Sequence, residues 1–157
     1  MIRYRAITLL SLAAAGAGWL APHEIRAQAK YGTAKEARAM LDRAVAAVKA
    51  DKAKALAAFN AGADGFRDRD LQPFCWDIKT GATLASTVPA NVGRNQCEMK
   101  DKVGKEFGKE ICAAATAEGK VTEISYMFPR PGETEPAPKV SFATRVGDIG
   151  CAVGYYK

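Results

Sequence analysis

Residues 126–142 read "YMFPRPGETEPAPKVSF", and this stretch decides how the C-terminal half of the chain folds. An aromatic run enters a segment rich in proline, and an apolar run leaves it from Lys139 and Val140 onward. Proline fixes φ and removes an amide donor, so the segment reads as a stiff connection between two strands and not as a loose linker. Residues 121–128 and 140–146 are those strands. Gly147-Asp148 then makes a tight turn into a third strand, Ile149–Tyr156, which completes an antiparallel meander. The proline loop holds Arg130 and Lys139 beside aromatic side chains. Two readings fit it: the rim of a site for a small anion, or a well-made hairpin.

Working backward, residues 101–118 form a helix whose apolar stripe is Val103, Phe107, Ile111 and Ala115, stopped by Gly119. Residues 73–78 and 82–88 are two further strands turned by Lys79-Thr80-Gly81. Residues 33–60 are helical. Thr33 and Glu36 make a capping box, and Ala37, Leu41, Ala44, Val45 and Val48 recur on one face. The stripe resumes at Leu56 and Phe59 beyond the polar patch Asp51-Lys52, and Asn60-Ala61-Gly62 ends it. Unbroken, that helix is about 40 Å long at 1.5 Å per residue. The expected architecture is a single α+β domain. It has a five-stranded antiparallel sheet, a long N-terminal helix, and a second helix between the second and third strands.

The first 29 residues read as an export signal. Arg3 and Arg5 precede an apolar or small-residue run of 16 residues, 6–21, and Ala27-Gln28-Ala29 supplies a small-x-small cleavage pattern. The run is short for a bilayer, which takes roughly 20 apolar residues; retention as an uncleaved anchor is the competing reading. Cleavage after Ala29 leaves residues 30–157, of a length that suits one domain, with no transmembrane segment. Its 20 basic and 16 acidic residues give a net charge of +4. That mild excess favours anionic ligands and gives no reason to expect nucleic acid in an exported protein.

The only histidine, His23, lies in the leader. Residues 30–157 therefore build no Ser-His or Cys-His nucleophile pair and lack the commonest transition-metal ligand, which argues against an enzyme of the familiar hydrolytic types. Nothing in the sequence calls for a cofactor. Asp64, Asp68 and Asp70 lack the alternation and closing glutamate of a calcium loop and read as solvated turn residues. Lys102, Lys105 and Lys109, with Glu106 and Glu110 nearby, read as a solvated helix face. The four cysteines, Cys75, Cys97, Cys112 and Cys151, are all in the exported part. An even count there reads as two disulfides with three possible connectivities, and their wide spacing argues against a zinc site.

The order of "DLQPFCWDIKTG", "VGRN", "KDKVGKEFGKEI", "YMFPRPG", "PKVSF" and "VGYYK" resembles the single Cache domain of the second type, across residues 33–157. The resemblance implies a PAS-like sheet with a long helix packed along it. It also implies extracytoplasmic sensing of small molecules, often short carboxylates, within chemoreceptors or sensor kinases. With nothing after Lys157, signalling through a membrane would need a partner. The implied fold sets the strand of Cys75 antiparallel to that of Cys151, so the expected disulfides are Cys75–Cys151 and Cys97–Cys112.

That pairing places Phe74 and Trp76 on one face with Gly150, Ala152 and Gly154. Large rings beside small residues accommodate either close docking of the long helix or a ligand cavity walled by Trp76. Arg94, Arg130 and Lys139 are the candidate anion binders, with Tyr126 and Phe128 as walls, since a cationic fork suits a carboxylate; each is equally at home as a solvated surface charge. Lys139, fixed by the stiff loop, is the first choice. The resulting expectation is a periplasmic or secreted module that binds a small organic anion, a short carboxylate above all. The alternative is a structural or regulatory partner of a membrane sensor with no ligand of its own.

Overall fold

The computed structural model describes residues 30–157. The export signal expected over residues 1–29, its cleavage position and His23 lie outside the described residues. The described chain is three helices and one antiparallel sheet in the order β2-β1-β5-β4-β3, formed by β1 (Pro73–Asp77), β2 (Thr83–Ala85), β3 (Thr122–Pro129), β4 (Pro136–Val146) and β5 (Ile149–Tyr156). This is the expected α+β fold with the expected strand count. No described helix is long and apolar enough to cross a membrane.

The N-terminal helix is not continuous. Helix α1 spans Ala34–Ala50 and α2 spans Lys52–Ala61, separated by Asp51 at φ −158°, ψ 101°. Asp51 closes α1 by donating its backbone N–H to Ala47 O, and its carboxylate opens α2 by accepting from Lys54 N at 3.0 Å. A short acidic side chain competes for backbone amides, and here it does so in the middle of an otherwise helical pattern. The capping box at the start of α1 is present: Thr33 N donates to Glu36 Oε2 at 2.7 Å and Glu36 N to Thr33 Oγ1 at 3.3 Å. Arg69 reinforces that end by donating to both Glu36 and Asp68.

Helix α3 is shorter than its apolar stripe suggests. It spans Phe107–Ala114, and Val103, expected in the stripe, is 69% exposed. Asp101 explains the late start, since its Oδ1 accepts from the amides of Val103 and Lys105 and holds the preceding segment in a turn. Strand β2 is likewise three residues long, giving way to 3₁₀ turns at Pro89–Asn91 and Gln96–Glu98.

The proline segment departs in the other direction. Strand β4 begins at Pro136, four residues before the expected start, and pairs Pro136 with Pro129 and Pro138 with Met127. Only residues 130–135 remain as the turn. The Pro138 carbonyl accepts from Lys157 N at 3.0 Å, at the very end of β5, so the missing amides of Pro136 and Pro138 fall where the neighbouring strand has run out.

The two faces of the sheet carry separate cores. Cys75, Ile149, Cys151, Val153 and Phe142 pack under α1 and α2, which contribute Leu41, Ala44 and Phe59. Trp76, Ile124, Tyr126, Ala143 and Ala152 pack under Phe107 and Ile111 of α3. Alternation along each strand produces this division. The long helix therefore does not dock on the Gly150–Gly154 face. Instead, Trp76 itself covers Gly150, where an added Cβ would lie 2.3 Å from the indole ring. Cys75 is paired directly with Cys151 and bonded to it, with 4.1 Å between Cα atoms, and Cys97 is bonded to Cys112.

Candidate functional site

The face shared by β3, β4, β5 and α3 is not filled at its end nearest the proline turn. There Tyr126, Lys139 and Tyr156 lie abreast on three adjacent strands. The Lys139 stem crosses the sheet over Gly154, where an added Cβ would stand 2.4 Å from Lys139 Cε. Only glycine at that position lets the chain lie flat. The ammonium then sits 4.6 Å from the centroid of the Tyr156 ring and 5.3 Å from that of Phe128, donating to Tyr156 Oη at 3.4 Å. This is a cation held by aromatic faces. Burial pushes the Lys139 pKa down to about 8, with nearby Asp70 acting in the opposite sense.

Of the three hollows that Lys139 lines, two carry most of the aromatic walls. The inner one is about 60 Å³, room for several waters or a few heavy atoms, and is walled by Phe74, Phe107, Tyr126 and Phe128, with Thr83 among its polar groups. Phe107 stacks on Tyr126 with centroids 4.2 Å apart, which ties α3 to the sheet at the cavity wall. Tyr126 Oη and Ser141 Oγ share a buried hydrogen bond of 2.8 Å, and burial pushes the phenol up to about 12, so it remains neutral. The outer cleft is about 280 Å³ and adds Asp70, Arg130 and Tyr156 to Lys139 and Phe128. Tyr156 Oη donates to Pro129 O at 2.5 Å and is held neutral by burial. That bond fastens the last ring of β5 to the proline hairpin.

Three buried polar atoms around these hollows have no hydrogen-bond partner among the described residues: Thr83 Oγ1, Asp70 Oδ2 and Arg130 Nε. Native proteins seldom leave such atoms unpartnered in a closed core, and all three belong to residues lining the hollows. Arg130 is further held between the rings of Tyr31, at 5.0 Å, and Tyr156, at 5.2 Å.

Of the residues singled out in the sequence, Tyr126, Phe128, Arg130 and Lys139 are brought together here. Arg94 is exposed and lines neither hollow; its backbone carbonyl instead accepts from Thr83 N at 2.8 Å. Trp76 is 1% exposed and serves as packing over Gly150, outside the cavity lining. Phe74, Thr83, Phe107 and Tyr156 line the site without having been singled out for it. Phe74 was legible as the neighbour of Trp76 on one face. Asp70, taken from the sequence as a solvated turn residue, is 5% exposed, because Gly32 packs against it and donates its amide to Oδ1 at 2.6 Å. No local pattern announces a contact across 38 residues.

The Cache domain family model matches residues 39–157. Among solved structures, a methyl-accepting chemotaxis protein from Vibrio parahaemolyticus RIMD 2210633 superposes with a TM-score of 0.62 at 21% identity, over 78% of this chain and 86% of that one. The periplasmic sensor domain of a chemotaxis protein gives 0.58 at 23% identity, over 78% and 88%. A Cache chemosensory domain described for carboxylic acid recognition gives 0.56 at 19% identity, over 78% and 86%. A search of curated proteins found no match. At these identities the structural likeness speaks for the fold, and the family model covers most of the chain. The chain belongs to the Cache domain family.

Proposed function

We propose that this protein is an exported binding module that holds a compact organic anion, with the guest's carboxylate at Lys139 and Arg130 and its hydrocarbon part among Phe74, Phe107, Tyr126 and Phe128. The observation that carries the reading is the Lys139 ammonium, which lies at the mouth of an aromatic-walled hollow with a single long hydrogen bond to a phenol. A half-buried cation that closes no ion pair gains from an incoming anion, because the lowered local dielectric strengthens that contact. The inner hollow suits only a few carbon atoms. Carboxylic acid recognition in one structural relative and the periplasmic setting of another support the ligand class and the location, as do two disulfides, which persist in oxidising compartments. Membership of the Cache domain family supports a role that retains a guest and does not transform it.

The test is a thermal-shift screen of residues 30–157 against acetate, propionate, butyrate and benzoate, repeated with Lys139→Met. A concentration-dependent rise in Tm for the parent chain, absent in the variant, supports the reading. Flat melts over the whole panel overturn it. They leave the second role, docking to a membrane sensor without a ligand, to be judged by co-purification from cell envelopes.

A further inference from the structure

The two disulfides differ in what covers them. Cys75 and Cys151 are fully buried, joined between β1 and β5 beneath α1 and α2. Cys97 and Cys112 are both half-buried and lie on the opposite side of the sheet. Thiol–disulfide exchange needs a thiolate in contact with a sulfur. The first bridge is therefore reached only when the core opens, and the second is within reach in the folded protein.

The second bridge also joins two parts that close the inner hollow. Cys97 sits in the 3₁₀ turn Gln96–Glu98 and Cys112 in α3. Gln96 and Met99 line the hollow from the turn and Phe107 lines it from the helix. Helix α3 has eight residues, and its N-cap, Glu106, makes no side-chain capping hydrogen bond. So short a helix does not persist on its own propensity and depends on its ties to neighbours. Besides the bridge, these are chiefly the Gly108 amide donating to Met99 O at 3.0 Å, the Phe107 ring on Tyr126 and the buried side chain of Ile111.

We propose that Cys97–Cys112 is a thiol–disulfide exchange site: a dithiol reductant opens it in the folded protein, α3 then loosens from the 3₁₀ turn and unseals the inner hollow, and Cys75–Cys151 keeps the sheet intact. One thiolate of the dithiol attacks a bridge sulfur, and the other bridge sulfur leaves. The second thiolate of the reductant then displaces the first sulfur, and each released thiolate takes up a proton. Two electrons pass to the protein, Cys97 and Cys112 become thiols, and the dithiol becomes a disulfide. The proposal concerns α3 and stands whether or not the hollow takes an anion.

The test treats folded residues 30–157 with dithiothreitol, blocks free thiols with iodoacetamide at intervals and maps the labelled peptides. Cys97 and Cys112 should become labelled at least about ten-fold faster than Cys75 and Cys151. In protein reduced at this bridge alone, amide hydrogen exchange should rise by about ten-fold or more across residues 107–114 and stay unchanged across 140–146 and 149–156. Labelling of all four cysteines at one rate, of Cys75 and Cys151 first, or of none in the folded protein overturns the proposal. Selective reduction that leaves exchange across 107–114 as it was overturns it too. The double variant Cys97→Ser, Cys112→Ser should exchange like the selectively reduced protein, and exchange matching the oxidised parent counts against the switch. Should that variant not fold, the selectively reduced parent alone decides.

Discussion

Gly154 lies beneath the side chain of Lys139, so close that a Cβ there would stand 2.4 Å from Lys139 Cε. Gly150 stands in the same relation to Trp76, at 2.3 Å from its ring. Both glycines admit a large neighbour, but the neighbours differ in freedom. The indole is locked in the core and the lysine stem is not. Gly150→Ala should therefore lower stability by about 2 kcal/mol or more, as overpacking does in a rigid site. Gly154→Ala should cost a comparable amount, because its Cβ would also stand 2.6 Å from the buried Ser141 Oγ that is bonded to Tyr126, and should in addition weaken carboxylate binding by displacing the ammonium. Melting and titration of the two variants side by side check both statements.

Lys139 is held charged against its burial, and the sign of its effect follows. Its folded pKa of about 8 lies below the ordinary 10.5, so between these values the unfolded chain binds a proton that the folded chain does not. Its cost to stability is thus complete below pH 8 and fades as pH rises toward 10.5. Lys139→Met should stabilise the unliganded protein at pH 7 by on the order of 1–2 kcal/mol, less than the full shift implies because the side chain retains some contact with water. That gain should vanish by pH 10.5 in chemical denaturation curves.

Carboxylate binding should show the same titration from the other side. If the ammonium is the form that binds, affinity is level below pH 7.5 and falls by up to about ten-fold per unit above pH 8. Titration calorimetry from pH 6 to 9.5 measures this. A level profile across that range would remove Lys139 as the anion's partner.

Glu36 gives a stability effect at the acid end. The Arg69 guanidinium, first, and the Thr33 amide hold its pKa at about 2 instead of 4.5. A depressed carboxylate pKa stabilises above the unfolded value and stops doing so as pH falls through the folded one. Glu36→Gln should be less stable than the parent at pH 7, and the gap should close between pH 4.5 and 2. The carboxylate is partly solvated, so the gap is expected to be modest and reduced by salt.

The two disulfides should differ in weight. Cys75–Cys151 closes a separation of 76 residues and Cys97–Cys112 one of 15. Loop-closure entropy gives about 4.5 and about 3 kcal/mol respectively. Replacing each pair with alanine should rank them in that order by denaturation midpoint. Only loss of Cys97–Cys112 should also weaken ligand binding, because that bridge ties α3, with its cavity residue Phe107, to the loop carrying Met99 and Gln96, which line the inner hollow.

Strand periodicity was the most legible part of the chain. Ile149–Tyr156 alternates between two buried faces and stands where the pattern places it. Helices were less so, because single acidic side chains redirected the backbone where apolar spacing did not change. Asp51 divides one stripe into two helices, and Asp101 delays α3 by several residues. In the site, Lys139, Tyr126 and Phe128 were visible because they flank a segment whose stiffness is written in prolines. Asp70 and Thr83 were not, since their burial arises from Gly32 and from the loop after β2, which sequence spacing does not connect to them.

The short turn at residues 130–135 has a thermodynamic sequel. It is braced by proline on both sides, and its Arg130 is already clasped between two tyrosine rings. Little chain motion is left to be frozen at this edge when a molecule arrives. On the proposed function, a handful of contacts would then retain a guest of only a few heavy atoms, and its release would need no rearrangement of the hairpin.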